Sequence, residues 1–344
     1  MNFVFLFFVL IVCFIIAEGV FRLYGYIQTK DLVFQGQGLH AKVENPKLGH
    51  VLLPNLSITR DNGLVYQTNS DGLRDKEYNV LHPKDVYRIV IIGDSVTFGS
   101  GVNQSNIYPE ILESELNKDI ANNYKIEVLN LGVSGYSTVS ELELFKLKGL
   151  KYTPNLVVLA YVLNDASYQN SPEDINVPKF THCKINLINM PINCKLKGVL
   201  SSSVFLRAVR DALKNHEKQK DIYIEYHNDL ERWNYLTQQI DDLKFIANSN
   251  DFNVLVVVFP ILDDFNNYKW AELHQKLDDM FASKGFYVLD IYNNFKEYDA
   301  NSLRVAPKDP WHPNAEGHQI VAEAIYDKLI NGGIITYPYN QTIA

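Results

Sequence analysis

The segment VIIGDSVTFGSGV, residues 90–102, joins the end of a buried strand to a glycine-rich turn that carries a serine. The residues up to Ile92 form a short, β-branched and continuously apolar run, which is typical of a strand covered on both faces of a parallel sheet. Three glycines then interrupt the pattern and allow the backbone to turn. Ser95 is therefore predicted at the carboxyl edge of a sheet, where α/β proteins bind ligands. A serine at this place is either a helix cap or a nucleophile.

Apolar strands alternate with helical patterns in the rest of the chain. The predicted strands are Tyr87–Ile92, Ile126–Leu129, Leu156–Tyr161, Val254–Phe259 and Tyr287–Asp290. A final helix is predicted from about Asn314 to Leu329. This alternation indicates a parallel sheet with helices on both faces. Residues 85–335 are therefore predicted to form a flavodoxin-like, three-layer α/β/α domain with five parallel strands.

A long interruption separates the third predicted strand from the fourth. Residues 166 to about 220 are predicted to be an insertion at the carboxyl edge of the sheet, and long excursions at this edge are often lids. The insertion contains Cys183 and Cys194 in a loop-like stretch. Two cysteines so placed indicate a local disulfide, which persists outside the reducing cytosol. The alternative is two unrelated free thiols.

Four polar clusters follow predicted strands. They are the Ser95 turn, NLGVSGYS at residues 130–137, YVLND at 161–165 and DPWHPNAEGH at 309–318. Because the carboxyl ends of parallel strands lie at one edge of the sheet, the clusters can converge on a single crevice. Capping explains any one cluster, but it explains the convergence of four poorly. The pattern thus favours Ser95 as a nucleophile.

The four clusters supply the groups that acyl transfer requires. Such a reaction needs a nucleophile, a base that contacts it, a group that orients the base, and donors for the oxyanion. Ser95 offers the hydroxyl, His312 is the candidate base, and Asp309 lies three residues before it, close enough to orient the imidazole. The N–H groups of Ser95 and Gly135 and the side-chain amide of Asn164 are the candidate oxyanion donors.

In this order the four clusters resemble the SGNH hydrolases, also called the GDSL esterase and lipase superfamily. The resemblance covers about residues 87–330 and implies a flavodoxin-like fold and a Ser-His-Asp mechanism, with no cofactor. By resemblance, Ser95 is the nucleophile, Gly135 and Asn164 are oxyanion donors, and His312 with Asp309 is the base with its orienting carboxylate. The N-terminal apolar run and the segment TNSDGLRD are also similar to a membrane-anchored bacterial subgroup.

Two positions depart from the family pattern. Val96 follows the Gly-Asp-Ser triplet, where leucine is usual, and this change is expected to be harmless. Val162 replaces the glycine of the common Gly-x-Asn-Asp block. A β-branched residue disfavours a positive φ angle and could narrow the acyl pocket. We expect this change to affect the size of the substrate more than the catalytic groups.

Composition excludes several other classes of function. The chain has 344 residues, of which 47% are hydrophobic, and a formal net charge of −8. Mild acidity with scattered lysine and arginine argues against a protein that binds nucleic acid through its phosphates. His312 and His318 are spaced like a pair of metal ligands, but no further cysteine or histidine completes a shell. We therefore predict neither a metal nor a nucleic-acid partner.

The N-terminal residues 1–27 are predicted to be an uncleaved signal anchor that forms a transmembrane helix. The uncharged run Phe3–Ala17 is shorter than the ~20 residues that a spanning helix needs. It reaches that length at Leu23 if Glu18 and Arg22 pair near the interface. A cleaved signal peptide is the alternative, but the basic region and the A-x-A site are missing. The prediction places the catalytic domain outside the cytosol, in the periplasm or at the cell surface, tethered to the membrane.

Residues 28–84 form a segment of their own between this anchor and the domain. The segment is rich in Gly, Asn and Pro and lacks a helical period. Asn69–Gly72 is a signal for a hairpin or a tight turn. The segment either packs beside the domain or acts as a stalk, and the pattern does not decide between the two.

Three functions fit these observations. The first is a hydrolase that removes acetyl or other short acyl groups from an extracytoplasmic carbohydrate or lipid ester. The second is an O-acyltransferase that modifies a cell-envelope glycan with the same triad. The third is a glycan-binding module without turnover, and the complete set of catalytic residue types argues against it. The motifs do not distinguish water from a sugar hydroxyl as the acceptor, and we predict the hydrolase.

Overall fold

The computed structural model describes residues 9, 12–20, 38–60, 62–118, 125–166 and 221–335. It divides into two compact units. In the unit made of Met1–Phe34 and Ile175–Asp221, the described residues are chiefly 12–20, which are helical. Within the described ranges, no helix is long and apolar enough to span a bilayer. Cys183, Cys194 and nearly all of the predicted insertion lie outside the described residues.

The larger unit begins with two antiparallel pairs of three-residue strands. They are β1 (His40–Lys42) with β2 (His50–Leu52), and β3 (Ser57–Thr59) with β4 (Val65–Gln67). A tight turn follows, in which the Gly72 N–H donates to the Asn69 carbonyl at 2.9 Å and Gly72 has a φ of 72°. This turn does not join two strands. Tyr66 and Leu73 are each only 1% exposed and belong to the same hydrophobic core as the sheet, so this segment packs on the domain.

Five parallel strands form the central sheet. They are β5 (Val86–Gly93), β6 (Lys125–Asn130), β7 (Leu156–Val162), β8 (Asn253–Phe259) and β9 (Tyr287–Asp290). Their order across the sheet is β6-β5-β7-β8-β9. Counted from the first strand of the sheet this is 2-1-3-4-5, the order of flavodoxin-like folds. All five predicted strands are confirmed, to within one residue at each end.

The helices surround this sheet. They are α1 (Ser95–Phe98), α2 (Tyr108–Lys118), α3 (Thr138–Leu144), α4 (Ile222–Asn228), α5 (Leu230–Asn250), α6 (Ala271–Ser283), α7 (Tyr292–Phe295) and α8 (Ala315–Ile330). Helix α2 packs against α8, whereas α3 packs against α5, and α5 and α6 contact β8. Helices α2 and α8 lie on one face of the sheet, and α3, α5 and α6 lie on the other. This follows from right-handed crossovers, because the β5–β6 connection crosses the sheet in one direction and the later connections cross it in the other.

The central strands carry the core. All seven residues of β7 are buried, and so are the last six of β5. Both strands are covered on two faces, which explains why their sequences are continuously apolar rather than alternating. Burial of each large side chain stabilises the fold by about 1.5–3 kcal/mol. The sheet is therefore a rigid base for the polar loops at its carboxyl edge.

Candidate active site

The turn after β5 is built so that Ser95 does not cap α1. Asp94 occupies the cap position, and its Oδ1 accepts the Val96 N–H at 2.8 Å. Glycine is needed just before it, because a Cβ on Gly93 would lie 2.1 Å from Thr97 Oγ1. Of the two roles that the sequence leaves open for Ser95, helix capping thus belongs to Asp94 instead. The Ser95 hydroxyl contacts a different residue.

Ser95, His312 and Asp309 form a continuous row of hydrogen bonds. Ser95 Oγ lies 2.9 Å from His312 Nε2, and His312 Nδ1 lies 2.7 Å from Asp309 Oδ2. Asp309 Oδ1 accepts the backbone N–H groups of Trp311 and His312, each at 3.1 Å. The Asp309 carboxylate therefore fixes both the imidazole of His312 and the backbone turn that carries it. Such a row can pass the serine proton to the imidazole while the carboxylate fixes the ring.

Asp309 is held in its ionised form. Partial burial raises its pKa, but the hydrogen bond and charge of His312, with the two backbone N–H groups, bring the pKa of Asp309 below its ordinary value. An ionised carboxylate accepts a proton donor at His312 Nδ1, which leaves Nε2 of the neutral ring free to accept from the Ser95 hydroxyl. The electrostatics thus favour the tautomer that a general base requires.

Arg304 fixes the loop that carries Asp309 and His312, and the sequence analysis missed it. Its Nε donates to the Leu262 carbonyl at 2.7 Å, and its Nη1 donates to the Pro307 carbonyl at 3.1 Å. This guanidinium joins the loop after β8 to the loop before α8. Arg304 belongs to no recognisable sequence motif, so the sequence does not predict that it bridges these two loops.

The predicted oxyanion donors lie on two further loops. Gly135 has a φ of 84°, and a Cβ there would meet only His50 Cε1, at 3.8 Å. Glycine is thus required by the backbone angle rather than by crowding. Within the described part of the chain, the Gly135 N–H donates to no backbone acceptor. The Asn164 Nδ2 donates to Asp94 Oδ2 at 3.3 Å, which leaves its second N–H for a ligand.

Asn130 connects these loops to one another. Its Nδ2 donates to the Thr97 carbonyl at 3.0 Å, and its Oδ1 accepts the Gly132 N–H at 2.9 Å. The first bond reaches the Ser95 turn and the second shapes the loop that leads to Gly135. The side chain of Asn130 therefore sets the distance between these two segments.

The family model of the GDSL-like lipase/acylhydrolases matches residues 91–320, which include the whole hydrogen-bonded row. The chain belongs to this family. It is a serine hydrolase that acts on ester bonds. A search of curated proteins found no match.

Solved structures similar to this chain include an α/β hydrolase enzyme, a lipase/acylhydrolase and an acetyl xylan esterase. LAE5, an α/β hydrolase enzyme from the metagenome of Lake Arreo in Spain, is 14% identical, with 75% of this chain and 99% of that chain covered and a TM-score of 0.45. The lipase/acylhydrolase from Enterococcus faecalis is 15% identical, with coverage of 71% and 95% and a TM-score of 0.41. The acetyl xylan esterase AlAXEase is 14% identical, with coverage of 71% and 100% and a TM-score of 0.42.

Val162, the departure from the family pattern, is accommodated without strain. It is the last residue of β7, it is 2% exposed, and its φ is not positive. Its N–H donates to Asp165 Oδ2 at 2.9 Å. The β-branched side chain therefore suits its backbone, and the Asp165 carboxylate orders the start of the loop.

Three buried carboxyl groups lie behind the site. Asp94, Glu141 and Asp165 are 2%, 1% and 3% exposed, and burial raises the pKa of each. Among the described residues, neither oxygen of Glu141 has a hydrogen-bond partner. Burial of a charge without a partner is costly, so the group is favoured in its protonated form. The sequence does not predict that Glu141 is buried, because a glutamate in a helix normally lies on the exposed face.

His318 is a structural residue, as its position on the final helix predicts. It is fully buried, and its Nδ1 accepts the Tyr108 N–H at 3.2 Å. Burial lowers the pKa of His318 to about 3, so the ring stays neutral. The second histidine of DPWHPNAEGH therefore supports the fold and joins α8 to α2.

We expect Asn164→Ala to lower kcat on a chromogenic acetyl ester by roughly 10²–10³-fold, since one oxyanion donor is lost where charge develops. The matched control is Asn155→Ala, which removes an amide bound to the Arg88 N–H at the other end of the sheet. Stopped assays of both variants, normalised to folded protein, give the comparison. An Asn164→Ala enzyme with the control's kcat contradicts the assignment.

Proposed function

We propose that this chain cleaves ester-linked acyl groups with Ser95 as nucleophile, His312 as general base and acid, and Asp309 as the orienting carboxylate. The observation that carries the proposal is the row of hydrogen bonds, 2.9 Å from Ser95 to His312 and 2.7 Å from His312 to Asp309. Asp94 already caps the helix, so capping does not occupy the Ser95 hydroxyl. The completeness of the row argues against a binding module without turnover.

The geometry allows a two-step reaction. His312 Nε2 takes the proton of Ser95 as its Oγ attacks the ester carbonyl, and a tetrahedral intermediate forms. The N–H groups of Ser95 and Gly135 and the free N–H of Asn164 receive its oxyanion. The C–O bond to the alcohol then breaks, and the imidazolium returns its proton to the leaving oxygen. Water repeats the sequence on the acyl-enzyme and releases the acid.

We propose that the substrate is a short acyl ester, such as an acetyl ester, on a carbohydrate. Trp311, next to His312, is 44% exposed, and its indole N–H donates to the Tyr223 hydroxyl at 2.7 Å. Tyr223 itself packs edge-on against Trp270, with 5.7 Å between the ring centroids. An oriented, exposed indole beside the base suits the C–H face of a sugar ring, whereas a lipid ester gains less from a single flat ring.

Substrate preference tests this proposal. We expect Trp311→Ala to raise KM roughly 2- to 12-fold for an acetylated oligosaccharide, because an aromatic contact is worth about 0.5–1.5 kcal/mol. The same variant should leave kcat/KM on a small chromogenic acetyl ester nearly unchanged. Trp311→Phe, which keeps a flat ring, is the matched control. Equal losses on both substrates mean that Trp311 acts on the turn of His312 and not on a sugar.

The same assay separates hydrolysis from acyl transfer. Mass analysis of products, with an unacylated oligosaccharide in excess, distinguishes free acid from a newly acylated glycan. We expect free acid. Transfer to the glycan in preference to water identifies an O-acyltransferase that uses the same residues.

We also propose that the catalytic domain lies outside the cytosol on an N-terminal membrane tether. The support is the uncharged run Phe3–Ala17 and the exposure of Ile15, Ile16 and Val20, each 58% or more, in the helical residues 12–20. A phosphatase that is active only after export, fused after Ala344, should be active. The proposal is contradicted if the phosphatase is inactive and a reporter that works only in the cytosol, fused at the same position, is active.

A further inference from the structure

Arg74 is a fully buried cation attached to the Ser95 turn. It belongs to the segment TNSDGLRD, before the first strand of the sheet, and its exposed fraction is 0%. Its Nη1 donates to the carbonyls of Phe98 and Gly99, and its Nη2 donates to that of Val102, all at 2.6 Å. These carbonyls follow the single helical turn that begins at Ser95. One guanidinium therefore ties down the far end of the turn that carries the hydroxyl.

The surroundings of Arg74 are made for a guanidinium. The guanidinium carbon Cζ lies 4.5 Å from the ring centroid of Tyr66 and 4.9 Å from that of Phe98. Burial lowers the pKa of Arg74 to about 10, so it remains a cation at neutral pH. No carboxylate forms a salt bridge with it in the part of the chain that the structure describes. Carbonyl dipoles and aromatic faces thus stabilise the charge.

Gly99 supplies the space that this arrangement needs. It has a φ of 81°, and a Cβ there would lie 2.2 Å from Ile107 Cγ2 and 2.9 Å from Arg74 Nη1. The planar fork of arginine reaches two carbonyls from one nitrogen and a third from the other, whereas the single ammonium of lysine lacks this geometry. The glycine of the turn and the arginine of the preceding segment are therefore complementary.

Asp75, the next residue, binds the loop that leads to Gly135. It is 6% exposed, and its Oδ2 accepts the Asn130 N–H at 2.8 Å. Its Oδ1 accepts the Lys76 N–H and the Tyr78 hydroxyl, so the carboxylate is fixed from both sides. Adjacent side chains of one dipeptide thus hold two of the loops at the carboxyl edge of the sheet.

We propose that the Arg74–Asp75 dipeptide is a positioning element for ester hydrolysis, which sets Ser95 relative to the Gly135 loop. The proposal rests on the proposed function of Ser95. It places part of the machinery before residues 91–320, the span that the family model matches. Neither residue touches the reacting atoms. Their effect is on the distance between nucleophile and oxyanion donor, where a displacement of about 1 Å can cost roughly 10²-fold in rate.

The test uses the full chain with Arg74→Lys, Arg74→Met and Asp75→Ala. The matched control is Arg88→Met, because Arg88 is equally buried but pairs with Glu127 at 2.9 Å, at the opposite end of β5. The first readout is kcat and KM on a small chromogenic acetyl ester, normalised to folded protein. The second is the rate at which a fluorophosphonate labels Ser95, which needs no knowledge of the natural substrate.

We expect Arg74→Lys and Asp75→Ala to lower kcat and the labelling rate by 10- to 100-fold with KM nearly unchanged. Arg88→Met should lose stability but retain kcat per folded molecule. Wild-type labelling rates in Arg74→Lys and Asp75→Ala overturn the positioning proposal, as do equal losses of kcat in Arg88→Met. If the wild-type chain is not labelled at Ser95, the proposed function fails first and the positioning proposal with it. Should Arg74→Met not fold, the two milder variants decide.

Discussion

Replacement of Ser95 by alanine is expected to lower kcat/KM on every ester by roughly 10⁴–10⁶-fold, as losses of a serine nucleophile do. The reason is that the deleted Oγ is the atom that contacts His312 Nε2 at 2.9 Å. Fluorophosphonate labelling of the chain should vanish as well. Hydrolysis assays and mass analysis of the labelled peptide measure both effects.

The fold of the Ser95→Ala variant should be unaffected, because Asp94 caps the turn. Its free energy of unfolding is expected to stay within about 0.5 kcal/mol of the wild-type value. Ser283→Ala is the matched control, since Ser283 is the last residue of α6 and its hydroxyl donates to the Met280 carbonyl at 2.7 Å, outside the site. It should retain activity within a few-fold. Wild-type turnover in Ser95→Ala would overturn the hydrolase mechanism at its root.

Replacement of Glu141 by glutamine is expected to stabilise the protein at pH 7 by up to about 4 kcal/mol. The folded-state pKa of Glu141 is raised well above its ordinary value, first by burial and then by the nearby charges of Asp165 and Asp94. A raised pKa contributes stability below the unfolded pKa of about 4.3, and this contribution is lost as pH rises toward the folded pKa. Each pH unit between the unfolded and the folded pKa lowers the free energy of unfolding by about 1.4 kcal/mol. Glutamine does not ionise, so its contribution to stability does not change with pH.

Denaturant unfolding at pH 5 and pH 7 measures this effect. The advantage of Glu141→Gln over wild type should grow between the two pH values. The matched control is Glu143→Gln, two residues further on, where the carboxylate accepts a hydrogen bond from Asn45 at 2.9 Å and lies 3.7 Å from the Lys47 ammonium. It should bring no gain. A destabilised Glu141→Gln protein at pH 7 contradicts the protonated state inferred here.

The sheet could be predicted from the sequence because its strands are short, largely apolar runs that alternate with helical patterns. The same logic brought together Ser95, Asp309 and His312, whose contacts the structure now gives, while their roles remain predictions. Strands β1 to β4 are too short, at three residues each, to show a period. The sequence therefore left open whether their segment packs or forms a stalk.

Ionisable side chains away from the surface are the part of the site that sequence patterns do not reveal. The buried Arg74 and Glu141 and the half-buried Arg304 all look like surface residues in a pattern of apolar and polar positions, since ionisable side chains are rarely buried. What buries Arg74 is a set of backbone carbonyls, and these exist only once the turn after β5 has formed. The sequence also left open whether Ser95 is a cap, because the choice of Asp94 as the cap depends on the backbone angles of the turn.

The contacts of Arg74 also limit how members of this family can differ. The carbonyls of Phe98 and Val102 need donors whether or not a chain carries the preceding segment. A relative that starts at its first sheet strand must supply those donors from water or from another loop. A grafted domain that begins at residue 85 therefore leaves the Phe98 and Val102 carbonyls without the donor that Arg74 supplies, whereas the Gly99 carbonyl keeps the Val102 N–H at 3.2 Å.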